Sequence, residues 1–304
     1  MACTTAAAIS VSLLPLACSK QYDLLEDSGE VKAVFNADAF VPDDNLTRTV
    51  LDGTEFIWAA NDTVGIYPNS GSQIFFEMTQ GAGTGSAVFD GGGWAFRNGA
   101  RYYSYYPFIA DFHLDRTQIP VSFKGQHQNG LSSLEHFGQF DYMYADAASV
   151  KDGVITFNYH HLGCVIRVTA TLEPGTYRQL TITAPTGAFV QKGFFDLTSA
   201  NTAIQSTESG RELTVVLDNF TVSAKQEVRI YLMSAPVALS GKEITVSILD
   251  SEKKQYDCRK TPSKDYAAAG IYGLTCSTWT AVPQSVGIAI DDWDDGGHYS
   301  GGAE

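Results

Sequence analysis

Positive charge is scarce in this chain: 20 Lys and Arg stand against 34 Asp and Glu, for a formal net charge of −14. Such a surface repels phosphate backbones and argues against nucleic acid as a partner. Long helical periodicity is missing. No Gly-x-Ser-x-Gly, His-Glu-x-x-His or Cys-His signature occurs, so the expectation is a protein that is not an enzyme and needs no cofactor. Cysteine is sparse and odd in number, five in all, which is not a disulfide framework. Cys3 and Cys18 lie in the N-terminal apolar segment, leaving Cys164, Cys258 and Cys276 in the body. Cys258 and Cys276 could pair in an oxidising compartment; the competing reading makes all three small buried apolar side chains.

What is present points to β structure. With 28 Gly, 17 Phe and 15 Tyr and only 18% charged residues, the chain reads as all-β with many turns. Its 304 residues suffice for two domains of about 100 to 200 residues each. Residues 1–18 hold an apolar run of secretory length, too short to span a bilayer, and predict an exported protein. Leu13-Leu14-Pro15-Leu16-Ala17-Cys18 resembles a lipobox, which would make Cys18 the lipidated N-terminus; the alternative is a plain signal peptide cut nearby.

Residues 19–48 read as a polar tether, a first strand and a loop. Val31-Lys-Ala-Val-Phe35 is strand-like, and Pro42 with Asp43-Asp44-Asn45 marks an exposed turn. Arg48 at its end is then either a basic residue presented to a trypsin-like processing enzyme or an ordinary surface arginine. Strands are expected at 56–59, 63–67, 73–78, 85–89, 102–106, 118–121 and 154–168. A second series is expected at 180–183, 193–197, 212–217, 227–233, 243–249, 253–257 and 271–274. Residues 131–149 are the best candidate for a short helix or compact loop. Two strand-rich blocks of similar size predict two antiparallel β-sandwiches, 49–160 and 161–293, with a polar tail at 294–304. Val286, Ile288 and Ile290 alternate on one face of a final strand within Ser285–Trp293.

Several constellations carry less chemistry than they suggest. His160 and His161 are neighbours on a strand and point to opposite faces, so they do not ligate one metal from one side. Asp291-Asp-Trp-Asp-Asp295 lacks the alternating oxygen pattern of a calcium loop and reads as a solvated acidic end; no metal site is expected. Gly81-x-Gly83-x-Gly85 has no Lys-Ser/Thr behind it and is a turn, not a phosphate loop. Tyr103 and Tyr105 share one strand face and Tyr102, Ser104 and Tyr106 the other, which serves either core packing or a sugar-stacking platform.

The order and spacing of further segments carry a resemblance. They are Arg48-Thr49, Trp58 with Asn61-Asp62-Thr-Val-Gly-Ile-Tyr67, Tyr103 to Pro107, Asp141-Tyr-Met-Tyr-Ala145, Phe157 to Leu162, and Ala269 to Leu274 with Trp293. Together they resemble the fimbrillin family of type V pili, lipoproteins of Gram-negative gut and oral bacteria. The resemblance implies two tandem transthyretin-like sandwiches, displayed at the outer membrane through a lipid on Cys18. It also implies cleavage between Arg48 and Thr49 and assembly with other fimbrillin subunits into a fimbrium that supports adhesion to a host or bacterial surface ligand. Loss of the first strand would open a groove for a donor strand, for which Val286, Ile288 and Ile290 are the candidates. Two other classes stay open: a surface glycan-binding lipoprotein or tip adhesin without polymerisation, and a secreted hydrolase, which would need a carboxylate pair or triad in a cleft.

Overall fold

Alternation of apolar and polar residues dominates from Lys32 onward, and over the residues it describes the computed structural model turns most of it into strands. It describes residues 32–42, 58–111 and 113–283. The chain divides into two compact units, residues 1–30 and 31–304, and every described residue belongs to the second. Among the described residues there are 21 strands and a single 3-10 turn, Phe137–Gln139. No helix among them is long and apolar enough to cross a membrane.

The first half supplies β1 (Lys32–Ala37), β2 (Val41–Pro42), β3 (Thr63–Pro68), β4 (Ile74–Gln80), β5 (Ser86–Asp90), β6 (Arg101–Tyr106), β7 (Ile119–Ser122), β8 (Gln126–Asn129), β9 (Met143–Ser149) and β10 (Val154–His161). Seven of them close into a barrel in the order β1-β10-β9-β6-β3-β4-β5. The second half supplies β11 (Cys164–Leu172), β12 (Gly175–Thr183), β13 (Phe189–Phe195), β14 (Gln205–Gly210), β15 (Glu212–Asp218), β16 (Thr221–Val222), β17 (Gln226–Ser234), β18 (Ile244–Asp250), β19 (Gln255–Lys260), β20 (Gly270–Cys276) and β21 (Thr280–Ala281). Together with β2, β7 and β8 from the first half, these form one sheet ordered β17-β11-β20-β2, a second ordered β21-β19-β18-β12-β15-β8, and a third ordered β14-β13-β7.

All-β architecture matches the expectation from composition and alternation, but the pairing is not purely antiparallel. The pairs β1/β10, β11/β20, β2/β20 and β8/β15 run parallel. Parallel neighbours need long connections, and each of these joins segments far apart in sequence. Local alternation marks a strand without naming its distant partner. The strand read as continuous over 154–168 is in fact two, β10 in the barrel and β11 in the second set, broken at Leu162-Gly163. A Cβ at Gly163 would lie 3.0 Å from the Ser234 carbonyl, so the crossover packs tightly there and any side chain would force that strand to give by a few tenths of an ångström.

Residues 131–149 divide likewise. The first part is turns around the 3-10 element, and Met143 onward is β9, which pairs with both β6 and β10. The three-residue spacing of Leu134, Phe137, Phe140 and Met143 is overridden because two waiting strand edges satisfy more backbone groups than a short helix would.

Two apolar clusters fill the molecule. One lies inside the barrel and is rich in rings, with Phe35, Trp58, Phe76, Phe89, Phe96, Tyr102, Phe157 and Tyr159. The other lies between the later sheets, built on Ile166, Val168, Leu180, Ile182, Val215, Leu232 and Val246, and it includes Cys164, Cys258 and Cys276. All three cysteines are buried and free, and burial pushes the Cys164 thiol up to about 12.

Segment 119–129, placed by sequence in the first block, adds β7 and β8 to the later sheets. Gln126 and Gln128 on β8 act there as side-chain substitutes for a strand. Gln126 donates to the Met233 carbonyl at 2.8 Å and accepts from its N–H at 2.7 Å, while Gln128 donates to the Arg229 carbonyl at 3.0 Å and accepts from the Tyr231 N–H at 2.9 Å. Edge strand β17 thereby has outward backbone groups of Arg229, Tyr231 and Met233 satisfied by side chains, which blunts it as a template for unwanted pairing.

In the barrel, Asn61 takes the left-handed conformation (φ 71) that asparagine tolerates, and Asp62 Oδ2 accepts the Ala59 N–H at 2.7 Å. That turn seats Trp58 edge-on to Phe89, Tyr106 and Tyr159. Gly65 on β3 is required by close approach: a Cβ there would lie 2.1 Å from the Tyr105 ring. That ring crosses β3 to give its hydroxyl proton to Gln73 Oε1 at 2.6 Å.

Candidate functional site: the first strand and its slot

β1 closes the barrel. It runs parallel to β10 over Lys32↔Val154 to Ala37↔Tyr159 and antiparallel to β5 at Phe35↔Ala87 and Asn36↔Ser86. β9 covers the other side of β10 only from Tyr159 to His161, so Val154 to Asn158 take their strand pairing from β1. Without β1 the barrel becomes an open sheet with β10 and β5 as free edges beside an apolar interior.

Alternation fixes which side chains enter that interior. Ala33 and Phe35 are buried, Phe35 fully, and Ala37 packs against the same cluster. The Phe35 ring lies 4.6 Å from Phe89, 5.2 Å from Phe157 and 6.3 Å from Tyr159, centroid to centroid. Between the core positions Asn36 Nδ2 donates to Asn158 Oδ1 at 3.2 Å.

Just past β1 the segment is anchored by two histidines. His161 is buried, with Nδ1 2.7 Å from Asp141 Oδ1 and Nε2 2.8 Å from the Asp38 carbonyl. The Phe40 ring stacks on its imidazole at 3.8 Å and 24°. Both ring nitrogens face acceptors, so both donate only when the ring is an imidazolium. Burial pulls the His161 pKa down, but the Asp141 charge, its hydrogen bond and the Asp38 carbonyl outweigh this and leave the net shift upward. His160 points the other way and is part-exposed; its Nδ1 is 2.5 Å from Asp38 Oδ2 and its Nε2 3.3 Å from Asp146 Oδ2. Beyond Phe40, the Val41 N–H donates to the Ala269 carbonyl at 2.7 Å, and β2 joins β20. One short segment therefore supplies a strand to the barrel and a strand to the second sheet.

The two histidines behave as the sequence implied, pointing to opposite faces and acting as core and cross-strand groups. The sequence reading missed their partners. Asp38, Phe40 and Asp141 carried no motif that announced an anchor, and the first strand was expected to end at Phe35, two residues early. The signal was an Asp-x-aromatic step directly after an alternating run. No group of three or more His, Cys, Asp or Glu among the described residues could hold a metal ion.

Three expected sites fall elsewhere: Cys18, Arg48 with Thr49, and Val286, Ile288 and Ile290 all lie outside the described residues. The chain leaves the described region at Pro42 and re-enters at Trp58, so the Arg48–Thr49 bond lies in the connection between β2 and the barrel core. The tyrosines of β6 form no exposed strip. Tyr102, Tyr105 and Tyr106 are buried, and Tyr103 has the Arg101 and Arg116 guanidinium groups over its ring at 5.8 and 5.2 Å.

Solved structures of similar fold are known. The chain resembles a candidate cell adhesion protein of Bacteroides uniformis, at 17% identity and a TM-score of 0.51, over 74% of this chain and 92% of that one. It also resembles a candidate cell adhesion protein of Bacteroides ovatus, at 13% identity and a TM-score of 0.52, over 83% and 96% of the two chains. At such identities the likeness establishes the fold alone. Among curated proteins none matches the sequence. A model described as fimbrillin-like matches residues 47–293, a span that takes in Arg48, the histidine anchor and Val286 to Ile290. The match extends over most of the 304 residues, and the chain belongs to the fimbrillin-like family.

Proposed function

We propose that this protein is a structural subunit of a cell-surface fimbrium supporting adhesion, without catalytic activity, and that it joins its neighbours by exchanging strands. The observation that carries this is β1. It is deeply packed, with Phe35 fully buried, yet its one covalent link to the later strands of the barrel runs through the connection containing Arg48. In this reading the precursor is exported and held at the outer membrane by a lipid on Cys18. A trypsin-like enzyme cuts between Arg48 and Thr49, and the segment carrying β1 and β2 leaves. A segment of another subunit, carrying Val286, Ile288 and Ile290, then pairs with β10 and β5. The exchange restores burial worth about 25 cal/mol per Å² of apolar surface and completes the backbone ladder.

The tandem transthyretin-like sandwiches implied by family resemblance, 49–160 and 161–293, belong to the same proposal. A ring-rich cluster inside the barrel, distinct from the one between the later sheets, supports a two-layered division, with 119–129 handed from the first block to the later sheets, and a barrel that loses its closing strand becomes an open, two-edged layer. Partners are then other fimbrillin subunits, the outer membrane and a host or bacterial surface ligand. A tip adhesin or glycan-binding lipoprotein remains the second reading, and the burial of the β6 tyrosines weighs against its simplest sugar platform.

The N-terminus of the protein recovered from cell surfaces tests the reading. Assembled material should begin at Thr49, and uncut precursor should begin at an acylated Cys18. Arg48→Ala protein treated with trypsin should fail to form ladders on a gel. Ladders as strong as the parent's would remove cleavage at Arg48 as the trigger. If Ile288→Asp and Ile290→Asp leave ladders unchanged, the chain accepts a strand and donates none.

A further inference from the structure

The slot is larger than the groove left by a core strand, because His160, His161 and Asp141 extend it by an anchor that engages the residues just beyond β1. Its present occupant has core residues at 33, 35 and 37, an aspartate at 38 and an aromatic ring at 40. Each of these positions has a defined partner. Ala33, Phe35 and Ala37 face the barrel interior. Asp38 offers its carbonyl to His161 and its carboxylate to His160, and Phe40 covers the His161 ring.

The same pattern recurs once near the other end of the chain. Val286, Ile288 and Ile290 are followed by Asp291 and, two residues on, by Trp293. Intervals between the three apolar residues, the aspartate and the ring are identical in the two segments. The intervening positions are small in the later copy, Gly287 and Ala289, so nothing bulky would be forced outward against β5 or β10.

We infer that the slot and its histidine anchor form a docking surface for residues 286–293 of a second copy of this chain, in one register. Val286, Ile288 and Ile290 replace Ala33, Phe35 and Ala37; Asp291 takes the place of Asp38 between His160 and His161, and Trp293 stacks where Phe40 does. This rests on the strand-exchange reading and adds to it the register and the residues that set it. A one-residue slip turns every apolar side chain outward, and it also leaves the buried Asp141–His161 pair without its third partner and its ring cover. The anchor therefore rejects out-of-register strands. The raised pKa of His161 keeps the ring in the doubly donating form that the seat uses.

A chimera tests the register without any cleavage step. Residues 33–40 of the full chain are replaced with the sequence of 286–293, and in a control with that of 285–292, one residue out of step. The in-register chimera should melt within about 5 °C of the parent and the shifted one at least about 10 °C below it. Equal melting of the two, with both folded, overturns the inference. If neither folds, labelled peptides decide. The 284–295 peptide should bind trypsin-trimmed protein about tenfold more tightly than its Asp291→Asn or Trp293→Ala forms, and equal binding of all three overturns the inference. Failure of trimming at Arg48 would count against the assembly reading while leaving the chimera comparison intact.

Discussion

Phe35→Ala lowers the stability of the barrel by about 3 to 5 kcal/mol, the range for removing a fully buried phenylalanine ring. The ring is fully buried and touches Phe89 and Phe157 on the two strands that β1 joins. Its loss leaves a cavity lined by other rings, which relax poorly because each is itself held edge-on or stacked by neighbours. The outcome also distinguishes a closing strand from a decorative one. If β1 were merely laid over a complete sheet, the substitution would resemble that of a part-exposed residue such as Phe75, whose ring keeps one edge contact with Phe108, about 1 kcal/mol. Urea unfolding of Phe35→Ala and Phe75→Ala proteins, compared at one pH, makes the measurement. A difference between them below about 1 kcal/mol would remove the closing role assigned to β1.

His161→Ala costs about 3 to 5 kcal/mol, because it strands the Asp141 carboxylate in the interior without its partner. Asp141 is 2% exposed and His161 3%, so solvent screens the pair little. The pH dependence has a definite sign. His161 has a folded pKa raised above its ordinary value of about 6.5. Its contribution is fully present below about pH 6.5 and is lost as pH rises through the folded value. His136 acts in the opposite sense: burial lowers its pKa, only partly countered by its hydrogen bond to the Tyr231 carbonyl. The parent's slope therefore mixes both. The difference between parent and His161→Gln isolates the first, and unfolding midpoints from about pH 6 to 9 should converge as pH increases. A constant gap across that range would mean that the His161 charge does not hold the anchor.

In the proposed assembly these effects bear on function because the anchored segment is the one that would depart. A strand that closes the barrel by its ladder, fills it with Phe35 and is held by a buried ion pair does not leave quickly after a peptide bond is cut. Release is therefore expected to depend on a competing strand that offers the same groups, and the recurrence of the alternating run, aspartate and aromatic ring after Ser285 gives such a competitor a chemical basis.

Much of this was legible in the sequence for local reasons. Alternation in Thr63–Tyr67, Glu212–Leu217 and Glu243–Leu249 required strands, because a side-chain period of two leaves no other element that buries one face. Asn61-Asp62 announced its turn through a side chain that bonds its own backbone, and adjacent His160 and His161 had to point apart on a strand. The acidic charge balance and glycine- and tyrosine-rich composition bounded the class, and the order of short motifs pointed to the family that residues 47–293 match.

Only tertiary structure decided which distant segments meet. Parallel pairing of β1 with β10 joins residues more than a hundred positions apart, and no local pattern encodes a partner at that range. The assignment of β7 and β8 to the later sheets, the two glutamines that satisfy the edge of β17, and the meeting of Asp38, Phe40, Asp141 and His161 are of the same kind. Each depends on hydrogen-bonding groups that are ordinary in sequence and become specific only when burial removes water as an alternative partner.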